Sequence, residues 1–186
     1  EIRKHLQELE SHLETVDTYL RDAMVPYAWA WTLLQTIPGI SEIAAALILI
    51  EIGDDLSHFG NADRFASWAA LCPGNNESAG KRKSGKTRKG NSMVRYLLSE
   101  AANGAIRTLS VFREKYRGLV VRRGHKKAIV AIAHKMIRTI YFMITRRQTY
   151  HDSGFDYVTA NVKKNAPRWI KALETHGYVV KLSTAH

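Results

Sequence analysis

Between residues 77 and 91 the chain reads ESAGKRKSGKTRKGN. Six cations (Lys81, Arg82, Lys83, Lys86, Arg88 and Lys89) fall within nine positions, and Arg95 follows. From residue 78 to residue 99 there is no carboxylate. Gly80, Gly85 and Gly90 punctuate the cations, and glycine lets a backbone approach a ligand closely. Clustered cations on such a backbone suit a phosphate chain, with an affinity that falls steeply with salt. Ser78, Ser84 and Ser92 add hydroxyls. A serine hydroxyl becomes a nucleophile only when a base, a metal or a dense positive field activates it. Lys81 and Arg82 lie three and four residues after Ser78 and could stabilise charge developing on an attacked phosphorus. The residues alone do not rank Ser78 above Ser84 or Ser92.

Other chemistries find little support. SAGKRKSGKT contains Gly-Lys-Thr, but its first glycine sits at the wrong distance for a nucleotide-binding phosphate loop and no strand precedes it. The eight histidines are scattered, and His125 and His134 lack a ligand-like spacing with carboxylates, so no metal site is expected in this chain. The single cysteine, Cys72, excludes an internal disulfide and is compatible with a reducing cytosol.

Of 186 residues, 28 are Lys or Arg and 17 are Asp or Glu, a net charge of +11 that points to an anionic partner. Nucleic acid is the first candidate and an anionic membrane surface the second. The longest apolar run, residues 43–50, is too short to span a bilayer, and no signal-peptide pattern opens the chain. The chain starts at Glu1 inside an expected helix and reads as a fragment of a longer protein.

The elements that must position the basic stretch read as helices. Ile2, Leu6, Leu9, Leu13, Val16 and Leu20 form a narrow heptad seam over residues 1–24. It suits either a helix packed on its own domain or a coiled coil. A helix over 28–36 leads through Pro38 and Gly39 into another that Ser41 can cap and that runs to about residue 52. Amides left unsatisfied after such a turn, near Gly39, Ile40 and Ser41, can receive a phosphate. This pair resembles the helix-hairpin-helix motif of non-sequence-specific DNA binders. A short helix over 62–71 buries Phe65, Trp68 and Ala69. Residues 74–91 lack apolar periodicity and read as a loop. A helix over 92–115 follows, with Val94, Leu97, Leu98, Ala101, Ala105, Ile106, Leu109 and Phe112 on its buried face. A break at 118–124, a helix over 125–147 and a mixed tail with a short helix near 158–175 complete the chain, with 177–182 as a strand or extended end. The fold class is all-α. The expected organisation is a coiled-coil-like helix at 1–27, a helix-hairpin-helix domain at 28–150 carrying the basic loop 74–91, and an extension at 151–186.

Three blocks in this order, IPGISEIAAALILIEIGD, FGNADRFASWAALCPG and ESAGKRKSGKTRKGNSMVRYLLSEAA, resemble the C-terminal transposase domain of the DEDD transposases of bacterial insertion sequences, the "one-ten" and "eleven-eleven" family. The likeness covers about residues 30–147. It implies a missing N-terminal RuvC-like domain whose acidic residues bind a divalent metal such as magnesium, and residues 1–24 resemble part of the connection to it. It implies that Ser78, in Ser78-Ala79-Gly80-Lys81, attacks the DNA backbone to form a phosphoserine link; Gly80, Lys81, Arg82, Lys83, Lys86, Arg88, Lys89 and Asn91 are the DNA contacts expected from the charge and glycines of the loop. It implies a guide RNA encoded by the element, a homo-oligomer in the full-length protein and a bacterial cytoplasmic location without membrane association. Two positions depart from the family: Ala79 and Ala70 stand where glycine is usual.

The leading expectation is therefore a catalytic-serine recombinase domain, inactive without its metal-binding partner domain. A non-enzymatic hairpin module binding DNA or RNA is the alternative. A helical module that binds RNA or a partner through its charge and coiled coil is the third reading.

Overall fold

The computed structural model describes residues 1–72, 76–78, 81–84, 87, 89–152 and 154–181, with backbone alone for 76–78, 81–84 and 154–161. The fold is all-α apart from one small ribbon. Its helices are α1 (Ile2–Met24), α2 (Ala28–Gln35), α3 (Glu42–Ile52), α4 (Ala62–Trp68), α5 (Ser92–Ala105), α6 (Val111–Arg123), α7 (His125–Arg146) and α8 (Gly154–Thr175). Single 3₁₀ turns at Val25–Tyr27 and Ser57–Phe59 join α1 to α2 and precede α4. The chain divides into two units, Glu1–His151 and Asp152–His186.

In the first unit α7 is the central element, packing against α2, α4, α5 and α6. It is long and apolar enough to cross a membrane by length and composition. Its apolar face is instead buried: Ile132, Ala133, Met136, Ile137 and Ile140 are fully enclosed. They meet Leu34, Ile37, Ile48, Phe65, Leu98 and Phe112 in one core. Phe65 and Trp68 stack at 6.0 Å and 12°, and Ala69 is fully buried beside them, as their spacing on α4 predicts.

Local chemistry sets the helix ends. Ser41 caps α3 by accepting the Ala44 N–H, and Asn61 caps α4 by accepting those of Asp63 and Arg64. The expected single helix over 92–115 is two. After Ala105 the chain bends, because the Thr108 and Ser110 hydroxyls both donate to the Ala105 carbonyl at 2.7 and 3.2 Å and replace helical partners. The bend turns Leu109 out to 92% exposure, against its expected burial. The break expected at 118–124 is also narrower. Gly118 sits inside α6, and only Gly124, at φ +73°, ends the helix. In the second unit α8 begins at Gly154 rather than near 158, and residues 178–181 form no strand.

The heptad seam is not packed on the rest of the chain. Ile2, Leu6, Leu9, Leu13 and Val16 are all exposed, and Leu20 alone is half-buried. The foot of α1 is held where the Arg21 guanidinium grips the Glu42 carboxylate with two bonds of 2.9 and 3.3 Å. Those bonds, first of all, hold Glu42 below the usual carboxylate range and raise Arg21.

Candidate nucleic-acid interface

The basic segment expected as a loop contains an antiparallel ribbon. Strand β1 (Asn76–Ser78) pairs with β2 (Lys81–Ser84), the Cα partners being Asn76 with Ser84, Glu77 with Arg82 and Ser78 with Lys81. The register is irregular between Asn76 and Glu77. Lysine, serine and glycine carry little strand propensity and no alternation. The ribbon therefore follows from how the segment's two roots are held, which a local pattern does not encode.

Those roots are firm. On the N-terminal side Leu71 is buried and its N–H donates to the Ala66 carbonyl at 3.1 Å. On the C-terminal side the Asn91 N–H donates to the Trp68 carbonyl at 2.9 Å. The Asn91 side chain is engaged at both ends. Its Oδ1 accepts the Val94 N–H and caps α5, and its Nδ2 donates to Glu51 Oε2 at 2.6 Å. One residue thus joins α3, α4 and α5 at the base of the ribbon, so its polar atoms serve anchoring. Gly90 makes this closure possible, because a Cβ there would lie 2.3 Å from the Trp68 carbonyl oxygen. Arg95, on the first turns of α5, reaches back to Thr87 Oγ1 at 3.3 Å.

Ala70 lies opposite Gly90 and holds φ +54°. The left-handed backbone costs a non-glycine residue about 1–2 kcal/mol. Burying its methyl returns about 0.8 kcal/mol. Burial therefore offsets part of the cost of alanine at this position of the resemblance.

Of the residues singled out from the sequence, Ser78, Lys81, Arg82 and Lys83 lie in the ribbon, and Lys89 is exposed just after it. Gly80, Lys86 and Arg88 lie outside the described residues, as does Ala79. The helical-turn group sits on another part of the unit. Gly39 is at φ +88° and packs on α5, where a Cβ would come 2.2 Å from the Ala101 carbonyl oxygen and 2.5 Å from the Ala105 nitrogen. The Ile40 N–H donates to the Ile37 carbonyl at 3.1 Å, and Ile40 is buried. Ser41 is exposed. An anion arriving at the start of α3 would share that positive helix end with the Glu42 carboxylate.

Two further features escaped the sequence reading. A cleft of about 450 Å³ lies between Trp29, Asp54, Asp55, Leu56, Ser57, Ile144, Thr145 and Arg147, with the Arg147 guanidinium 4.6 Å from the Trp29 ring centroid. Also, half-buried Lys115 on α6 lies near His134 and Arg138 on α7, and Arg138 pairs with Asp63 of α4 at 3.3 Å. Burial, then Arg138 and Lys115, push His134 below its ordinary value, while Asp63 pulls the other way. Burial and then Arg138 lower Lys115. The unfolded chain protonates His134 near pH ~6.5, whereas the folded chain resists the proton to lower pH. The unfolded state therefore binds more protons in that window, and stability falls as pH drops through it. His134→Gln should flatten the decline of melting temperature between about pH 7 and pH 5. An unchanged slope in thermal melts would remove His134 from that account.

With the helical scaffold and its anchored basic ribbon in place, comparison with known proteins gives what part of the chain resembles. Residues 31–117 match the Transposase IS116/IS110/IS902 family. The transposase match runs from α2 into α6 and includes the whole ribbon. The chain is similar to "Transposase for insertion sequence element IS1111A" of Coxiella burnetii, at 30% identity over 122 residues, covering 63% of this chain and 33% of the relative. It is also similar to "Probable family 20 transposase" of Pseudomonas aeruginosa, at 26% identity over 155 residues, covering 81% of this chain and 45% of the relative. The chain thus spans between a third and a half of the length of these transposases.

Proposed function

We propose that this chain is the C-terminal, DNA-contacting and serine-bearing part of an insertion-sequence transposase of the matched family. The observation that carries the reading is the ribbon, in which Ser78 and Lys81 are Cα partners at the closing end of a hairpin whose second strand, Lys81–Ser84, carries three cations and whose first carries one carboxylate, Glu77, opposite Arg82. Lys81, Arg82, Lys83, Lys86, Arg88 and Lys89 neutralise backbone phosphates and hold one in register. Ser78 Oγ attacks its phosphorus. A P–Oγ bond forms as a P–O bond to deoxyribose breaks. The serine proton passes to a base outside these residues, and the freed deoxyribose oxygen takes up a proton. Lys81 and Arg82 stabilise the charge gathered on the non-bridging oxygens. Of the helix-hairpin-helix contact, Gly39 and Ser41 are the exposed positions, because the Ile40 N–H is already taken by the Ile37 carbonyl. The ribbon carries more of the binding, because Glu42 already occupies the start of α3.

Among the described residues no three of His, Cys, Asp and Glu converge to hold a metal ion. The divalent metal implied by the family is assigned to the RuvC-like domain, together with a role for a guide RNA in choosing DNA. The exposed seam of α1 supports pairing with another helix in an oligomer. Isolation of a DNA adduct bonded to Ser78 from the complete transposase tests the reading. If the adduct maps to another residue, or if none forms during active transposition, the serine assignment fails.

The chain by itself should bind duplex DNA and cut none, even with magnesium present. Each phosphate neutralised contributes about −0.9 to the slope of log affinity against log salt. Engagement of most of the six cations between residues 81 and 89 therefore predicts a slope steeper than about −3. Affinity flat in salt, or cleavage by these 186 residues alone, contradicts the division of labour.

A further inference from the structure

We propose that the elbow between α6 and α7 is a second contact surface for the phosphate backbone of duplex DNA, separate from the ribbon. The inference rests on the reading that the protein handles DNA, and it adds a site to which neither the family match nor the ribbon points.

The charge pattern is sharper here than in the ribbon. From residue 115 to residue 151 the sequence has ten lysines and arginines and no aspartate or glutamate. Four of the ten, Arg122, Arg123, Lys126 and Lys127, flank Gly124 and His125, and every residue from 121 to 127 is exposed. Among the described residues none of the four has a carboxylate partner; Arg122 Nε reaches only the Gly118 carbonyl, at 3.4 Å. The elbow is shaped rather than slack. Gly124 turns the chain at φ +73°, its N–H donates to the Val120 carbonyl, and the Tyr116 hydroxyl meets His125 Nδ1 at 2.9 Å with the two rings edge to face.

The placement also breaks a local rule. Arg122 and Arg123 suit the negative end of α6. Lys126 and Lys127 stand in the first turn of α7, at its positive end, where no acidic residue offsets them. A sequence selected for stability alone would put aspartate or glutamate there, and such conflicts concentrate at functional sites. An outside polyanion resolves this conflict, because it faces both pairs of cations at once.

Duplex DNA fits better than the other polyanions. A membrane-binding elbow would carry Trp, Phe or Leu beside its cations, whereas only Val121 projects here, at 88% exposure. Phosphates alone do not separate a DNA duplex from an RNA duplex; DNA is the occupant because the proposed function already brings it to this chain.

The test is the fourfold variant Arg122→Gln, Arg123→Gln, Lys126→Gln, Lys127→Gln in the 186-residue chain. Binding is measured across a salt series on a short DNA duplex of arbitrary sequence, on the matching RNA duplex, and on vesicles of phosphatidylserine and phosphatidylcholine. A ribbon variant, Lys81→Gln with Arg82→Gln and Lys83→Gln, runs beside it. The expected result is a loss of about tenfold or more in DNA affinity and a salt slope shallower by about 3, with an unchanged melting temperature because all four side chains are exposed. Normal DNA affinity and slope in the elbow variant, with the ribbon variant impaired, overturns the elbow and leaves the proposed function standing. A loss confined to RNA, or to vesicles, overturns it as well. Absence of any DNA affinity in the unsubstituted chain overturns both.

Discussion

Ser78→Ala is expected to reduce strand transfer by the complete transposase to below about one-thousandth of the unsubstituted rate, the order of effect seen when a covalent nucleophile is removed. DNA affinity should stay within about twofold, because binding is summed over several cations and backbone groups and one neutral hydroxyl subtracts little from that sum. Covalent chemistry needs that one oxygen, and a displacement of about 1 Å in a reacting group already costs on the order of 100-fold. The neighbouring serines are the controls. Ser84 pairs with Asn76 at the open end of the ribbon, and Ser92 begins α5 beside its Asn91 cap. Neither shares Ser78's pairing with Lys81, so Ser84→Ala and Ser92→Ala should retain activity. Lys81→Ala and Arg82→Ala should weaken binding and rate together. A transposition assay paired with a binding titration separates these patterns. Full activity in all three serine variants would leave a DNA-binding module and no serine chemistry.

Gly39→Ala is expected to destabilise the first unit by about 3 kcal/mol, lowering its melting temperature by about 6–12 °C. Two costs combine. The first is the left-handed backbone at φ +88°, worth about 1–2 kcal/mol for a residue with a Cβ. The second is overlap with the α5 backbone, where the contacts at Ala101 and Ala105 are main-chain atoms that cannot rotate away. Gly60→Ala isolates the first cost, since Gly60 has φ +71° but its added Cβ would meet only Arg64 Nη1, at 3.5 Å. Differential scanning calorimetry of the two variants should rank Gly39→Ala well below Gly60→Ala. Equal shifts would mean that the contact with α5 carries no energy. The reach of Gly39 across to α5 also gives this glycine a structural reason independent of any phosphate.

Ser41 and the apolar rows of α4, α5 and α7 were legible because caps and periodicity act within a few residues. The bend after Ala105 was hidden. Ile106, Leu109 and Phe112 continue the apolar period, and two hydroxyls competing for one carbonyl override it. Gly118 misled in the other direction, since glycine permits a break without requiring one. The ribbon was legible as a cationic segment and not as strands, because Lys, Ser and Gly carry no strand pattern and its flanks are held by bonds to Glu51, Trp68 and Ala66 that the segment's own residues do not reveal. Gly39 was legible as a turn, but its partners Ala101 and Ala105 lie more than sixty residues away. The elbow's charge is written in the sequence as an absence of acids from residue 115 to 151, without the glycine punctuation that marks residues 80–90.

The bare apolar row of α1 gives dissolved salt two opposed effects on this protein. At low ionic strength a charge of +11 keeps copies apart and draws them to polyanions. Near 1 M salt the screening length shrinks to about 3 Å. On the proposed function DNA is then released, and net-charge repulsion no longer opposes pairing of Ile2, Leu6, Leu9, Leu13 and Val16 with a second copy. Under that proposal, stripping nucleic acid from the protein and driving its helices to associate become one operation. Light scattering should rise over the same salt range in which DNA is lost.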